Sequence, residues 1–245
     1  MILVAVMTRR FVPHSSWLPI AAPLAVSLST GLAYFAVAGM DTPLFACVLL
    51  AAAWAAVRWL DGGGRPILLA LSLAALVVVR AEGVAYAATI LAVLGIFAAS
   101  GGNPAQVRAH RMLVAWALFV AAVQFGGRWL YYGDWISTPA LSKAFLEYAI
   151  RETRRLHLSY SVLVLPTLRH GFDYQWRVLL GLVVPVAALL VESRRRTRGL
   201  EAAWIGLSLI AVNALLIVLA AGDWMPYQRL GIAVWPLVLL LGGWT

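Results

Sequence analysis

Cysteine, lysine and charge of either sign are all scarce in this chain. Its single cysteine, Cys47, excludes a disulfide within the chain and any cysteine-based metal site, and its position inside an apolar segment suggests plain packing. Charged residues make up 12% of the 245 positions and hydrophobic ones 63%, too little polarity to clothe a water-soluble domain. There is no Walker loop, dinucleotide fingerprint, zinc-binding helix or nucleophile elbow, so the common signatures of nucleotide, nicotinamide and serine-hydrolase chemistry are missing. No internal repeat or low-complexity tract occurs.

Long apolar runs are what the chain does have. A mean hydropathy of +0.88 points to an all-α, polytopic transmembrane helical bundle. At ~20 residues per span the length holds roughly eight apolar helical segments, organised as a single membrane domain over residues 1–245. The net charge of +9 comes from arginines between the spans, where orientation in the bilayer accounts for them. No nucleic-acid partner is expected. Met1 to Met7 is too short to span and has the look of the tail of a helix.

The segments run from Trp17 to Met40, Thr42 to Leu60, Ile67 to Val79, Val84 to Ala98, Met112 to Leu130, Val178 to Val191, Leu200 to Ala221 and Leu230 to Leu241. Ile67 to Val79 and Val84 to Ala98 reach only about 20 and 22 Å, short of a ~30 Å core, with Arg80-Ala81-Glu82-Gly83 between them. Loop charge decides whether they are two helices or one. Separate helices place Arg9, Arg10, Arg58, Arg65, Arg108, Arg111, Arg194, Arg195, Arg196 and Arg198 on one face against Asp61, Glu192 and Glu201, which satisfies the positive-inside rule. Fusing them would put the Arg194 to Arg198 cluster opposite Arg9 and Arg10. The split is therefore expected, in a plasma (inner) membrane protein whose active face is extracytoplasmic.

The outer loop spans residues 131–177. Thr138 as N-cap with Pro139 at the first helical position predicts a helix. From Leu141 to Leu156, Leu141, Phe145, Tyr148, Ala149 and Leu156 share a face opposite Lys143, Glu147, Arg151 and Arg154, the pattern of a helix lying at the membrane surface. Ser161 to Leu168 is apolar but short, so it should dip rather than cross. His157, His170 and Asp173 match no metal-ligand spacing, and no metal site is assigned. Gln124 and Asn213 lie within spans and should form interhelical hydrogen bonds.

Four charged motifs fall on the expected outer face. Arg80 and Glu82 sit at or near membrane depth, where ionisable groups are expensive unless paired or hydrated; they mark either a functional cavity or a structural salt bridge. Asp223, Trp224, Tyr227 and Arg229 meet at one helix boundary, where arginine offers paired donors to phosphate and aspartate can hold a hydroxyl, a metal or an arginine. Tyr131 to Lys143 combines aromatics, Asp134 and the only lysine, a candidate phosphate contact or a snorkelling side chain. Asp41 precedes a span and serves either as a helix cap or as a site residue.

Taken in order, these motifs resemble bacterial GT-C-fold glycosyltransferases that use polyprenyl-phosphate sugars, especially the actinobacterial arabinofuranosyltransferase-like branch. The resemblance rests on Gly39-Met40-Asp41-Thr42, Arg80-Ala81-Glu82-Gly83, Tyr131 through Lys143 and Ala221 through Arg229, and covers roughly residues 30 to 240. Ala81 stands where the family has proline, Ser137-Thr138-Pro139 where it has Pro-Asn-Thr, and Ala221 where it has glycine. The resemblance implies a polyprenyl-phosphate sugar donor, a cell-envelope glycan acceptor and substrate or phosphate contacts from Arg80, Glu82, Lys143, Asp223, Trp224 and Arg229. Asp41, Asp134, Glu82 and Asp223 would orient sugar hydroxyls or a divalent metal. The family's presumed catalytic aspartate lies in a first outer loop that would precede Met1, so this stretch is expected to be part of a longer module. Asp41 and Asp134 are then the candidates for the catalytic base. The alternatives are an inactive, truncated transferase copy and a non-enzymatic transporter or binding protein for lipid-linked sugars.

Overall fold

The structure is a computed structural model that describes residues 41–101, 103–133, 152–156, 164–166, 168–169, 172–173, 200–219, 234 and 236–237. Within them the fold is all-helical, built on α1 (Thr42–Leu60), α2 (Pro66–Val79), α3 (Gly83–Gly101), α4 (Pro104–Tyr132) and α5 (Leu200–Leu219). Four of the five are long and apolar enough to cross a membrane; α2, at 14 residues, is shorter. The expected segments Trp17 to Met40 and Val178 to Val191, and most of Leu230 to Leu241, lie outside the described residues.

Residue spacing explains the packing. In α2, Leu69, Leu73 and Leu76 recur every three or four positions and are fully buried, as one face of a helix must be when it meets a neighbour. In α1, Phe45 and Leu49 continue into Ala52, Ala53 and Ala56, all buried, and small side chains there let α2 approach closely. Ile90 and Leu94 of α3 complete this core. The outward faces are just as apolar: Leu44, Ile67, Leu71, Ile96, Leu118 and Phe119 are all exposed. A helix apolar all round suits a lipid surrounding, not water.

The helices alternate in direction. Asp41 at the start of α1 meets Arg80 at the end of α2, so these two run antiparallel. Three residues then turn the chain into α3, with Gly83 lodged where a Cβ would come within 1.8 Å of the Leu76 carbonyl oxygen. Only glycine fits there. The imidazole of His110 on α4 lies over Gly95 of α3, and Trp116 of α4 donates a 3.0 Å hydrogen bond to the carbonyl of Ala70 in α2. Residue 70 and residue 95 can be level with neighbouring turns of α4 only if α2 and α3 form a hairpin. The two short segments are therefore separate helices, as loop charge indicated.

Three expectations are corrected. Helix α3 runs to Gly101 rather than Ala98, so at 19 residues it spans about 28 Å; Ser100 tolerates the helix by donating its hydroxyl to the Ile96 carbonyl. Arg108 and Arg111 belong to α4 and not to a loop. That helix starts at Pro104, where Asn103 caps it by accepting a hydrogen bond from the Ala105 amide and proline occupies the first position. Cys47 is exposed rather than packed, because it falls on the outward face between buried Ala46 and half-buried Val48.

Of the predicted surface helix from Leu141 to Leu156, the described part is the turn at Glu152 to Leu156, with Arg155 paired to Glu152 at 3.4 Å. Thr138, Pro139 and half of Ser161 to Leu168 lie outside the described residues.

Candidate functional site

Two of the four motifs meet at one end of the bundle. Asp41 occupies the N-cap of α1 yet makes no side-chain capping bond; its Oδ2 lies 3.7 Å from Nε of Arg80. Capping alone does not explain this aspartate. Arg80 follows α2 in an extended conformation, which swings its side chain back across the top of α1 and α3. Its Nη2 donates to Oε1 of Glu82, and its guanidinium lies 5.3 Å from the centre of the Phe45 ring.

The guanidinium is thus enclosed. Its side chain is 5% exposed, against 39% for Asp41 and 27% for Glu82. A buried cation needs paired, hydrogen-bonded partners, and here two carboxylates and a ring face supply them. The three charges sum to minus one, and the accessible side chains of the cluster are the two acids. Such an edge can accept hydrogen bonds from hydroxyl groups, or share a cation. An anion would first have to displace a carboxylate from Arg80.

Beneath the cluster lies an aromatic floor that the sequence reading did not single out. Phe45 and Tyr86, both 2% exposed, meet edge to face at 5.4 Å. Each lies four residues after an acid of the site, Asp41 or Glu82, and so on the same helix face. That spacing was the available signal. Tyr86 donates its hydroxyl to Oδ1 of Asn213 at 2.5 Å, fastening α3 to α5 and fulfilling the expected interhelical role of Asn213. Gln124 has no such bond among the described residues.

This hydrogen bond also locates α5. Asn213 is six residues, about 9 Å of helix, from the carboxyl end at Leu219, and Tyr86 is three residues from the start of α3. The carboxyl-terminal third of α5 therefore packs at the level of the site, and the sequence that follows it is Gly222 to Arg229. Asp223, Trp224 and Arg229 themselves lie outside the described residues, as do Asp134 and Lys143. Tyr131 and Tyr132 are described, and both are exposed. Counted from the contact between Gly95 and His110, α4 draws level with Glu82 near Val123 and continues about 14 Å to Tyr132. The tyrosines thus stand beyond the level of the carboxylates, and Gly133 ends the helix with φ of 75°.

Among the described residues no third histidine, cysteine, aspartate or glutamate joins Asp41 and Glu82 in a group able to hold a metal. Asp173 pairs with Arg169 at 3.8 Å, and His157 and His170 lie outside the described residues. No family model, no curated protein and no solved structure matches this chain.

Proposed function

We propose that this chain is a membrane glycosyltransferase that moves a sugar, with arabinofuranose the leading candidate, from a polyprenyl-phosphate donor to a cell-envelope glycan or lipid acceptor on the outer face of the plasma membrane. The observation that carries the reading is the cluster of Asp41, Arg80 and Glu82, in which a buried guanidinium holds two partly exposed carboxylates at the end of apolar helices. Breaking a glycosidic bond to phosphate leaves positive charge on the sugar and negative charge on the lipid. Preorganised carboxylates oppose the first, and cations aimed at the phosphate oppose the second. Within this scheme Arg80 is a positioning residue. The phosphate falls to Arg229 and Lys143, with Asp223 and Trp224 beside the sugar.

Asp41, the more exposed of the two acids, is the preferred base, and Asp134 the other candidate. Glu82 binds sugar hydroxyls. The order of the four charged motifs supports the reading. So does the gathering of Arg58, Arg65, Arg108 and Arg111 toward the opposite end, which by the positive-inside tendency turns the carboxylates outward.

The test is transfer of labelled sugar from polyprenyl-phosphate donors by the chain in lipid nanodiscs, with donor retention read in parallel. The wild type is expected to retain the donor, and where sugar is transferred Asp41→Asn and Glu82→Gln should lower transfer by about 10²-fold or more. A wild type that neither retains nor transfers sugar from any such donor contradicts the proposal.

A further inference from the structure

A second chemically distinct place lies away from the carboxylates, toward the Asp61 to Pro66 turn. Helices α1 and α2 leave between them a groove of about 670 Å³. Its walls are apolar along the helices, from Val48 and Ala75 through Ala51 and Leu71. Its end is framed by Arg58 and Arg65. The Arg58 guanidinium lies 5.9 Å from the centre of the Trp54 ring and donates to the Gly63 carbonyl at 3.4 Å, so it is held at the groove wall. Among the described residues no carboxylate comes within ion-pair distance of Arg58 or Arg65. Asp61, the acid of the same turn, does not line the groove.

We infer that this groove binds an anionic phospholipid, its phosphate held by Arg58 and Arg65 and one acyl chain laid between Val48, Ala51, Leu71 and Ala75. Charge complementarity selects the headgroup. Guanidinium groups match phosphate oxygens in paired hydrogen bonds, and two of them at one groove end disfavour a neutral lipid. Length selects the tail: ten residues of helix, about 15 Å, separate the arginines from Val48 and Ala75. That is half of a ~30 Å hydrocarbon core, the depth of one leaflet. A free phosphate would leave the apolar walls without a role. The inference needs a membrane around α1 and α2 but not the transferase reading, since it shares no residue with the carboxylate cluster.

The experiment reconstitutes the whole chain with equal amounts of phosphatidylglycerol and phosphatidylcholine, extracts it in mild detergent and quantifies the lipid that co-purifies. With about fivefold from each arginine near an anionic headgroup, phosphatidylglycerol should be enriched about 25-fold. R58Q/R65Q should bring the ratio near unity, whereas R108Q/R111Q, which removes the same charge from exposed positions on α4, should leave it high. Ala51→Phe, which fills the groove without altering charge, should also lower the enrichment, and it carries the test if the arginine variant does not fold. No enrichment in the wild type, or equal loss in the two double-arginine variants, overturns the inference. So does displacement of the lipid by glycerol phosphate as readily as by phosphatidylglycerol, because the acyl chain would then contribute nothing.

Discussion

Arg80 illustrates how much one residue's surroundings decide. The sequence shows an arginine and a glutamate at membrane depth without saying which groups face them. Burial of the guanidinium between Asp41 and Glu82 makes the cluster asymmetric, because the cation is enclosed while both acids keep contact with the exterior. Removing Arg80 leaves two carboxylates that water can reach, whereas removing both acids strands a buried charge, an arrangement worth about 3–5 kcal/mol. The expected order of lost stability in detergent melts is Asp41→Asn smallest, Arg80→Gln intermediate and D41N/E82Q largest. Equal losses for R80Q and the double variant would show that Arg80 is not enclosed.

Glycines at the same scale separate into those the fold requires and those it merely tolerates. Gly83 has the Leu76 carbonyl oxygen where its Cβ would stand, while Gly126 inside α4 has nothing within 4 Å. Gly83→Ala should therefore cost about 1–3 kcal/mol through overpacking, and Gly126→Ala should gain roughly 0.5–1 kcal/mol from helix propensity. Thermal melts of the two single variants check the opposite signs. From the sequence both were simply glycines beside apolar runs, since the close approach that distinguishes them exists only once α2 and α3 fold back on each other.

Among the elements, the hairpin of α2 and α3 was legible and the start of α4 was not. Charged Arg80 and Glu82, with a glycine immediately after, broke a hydrophobic run, and the distribution of arginines fixed the parity of the turns. For α4, the charges of Arg108 and Arg111 read as loop, although Asn103-Pro104 is a capping signal that outweighs them. The contact between α3 and α5 was legible only in kind. Asn213 announced an interhelical hydrogen bond, but its partner Tyr86 is 127 residues away in sequence, and no local pattern names it. In an apolar surrounding such a bond contributes about 0.6–2 kcal/mol. A double-mutant cycle of Tyr86→Phe and Asn213→Leu should return a coupling in that range, and additive losses would mean that the two helices are joined by packing alone.

Across the whole molecule the described helices give two unlike ends. One carries Asp41, Arg80 and Glu82 above an aromatic floor, and the other carries Arg58 and Arg65 at the end of a lipid-sized groove. Both proposals place these ends at opposite membrane faces, and the transferase proposal further requires the carboxylates to face outward. The most direct measurement is sided labelling of single cysteines in a Cys47→Ser background, a necessary change because Cys47 is itself exposed. Ala81→Cys reports the turn beside Glu82, and Asp61→Cys reports the turn beside Arg58. The account predicts that a membrane-impermeant maleimide labels position 81 in intact cells and position 61 only after permeabilisation. Labelling of both from the same side, or of position 61 alone in intact cells, would contradict it.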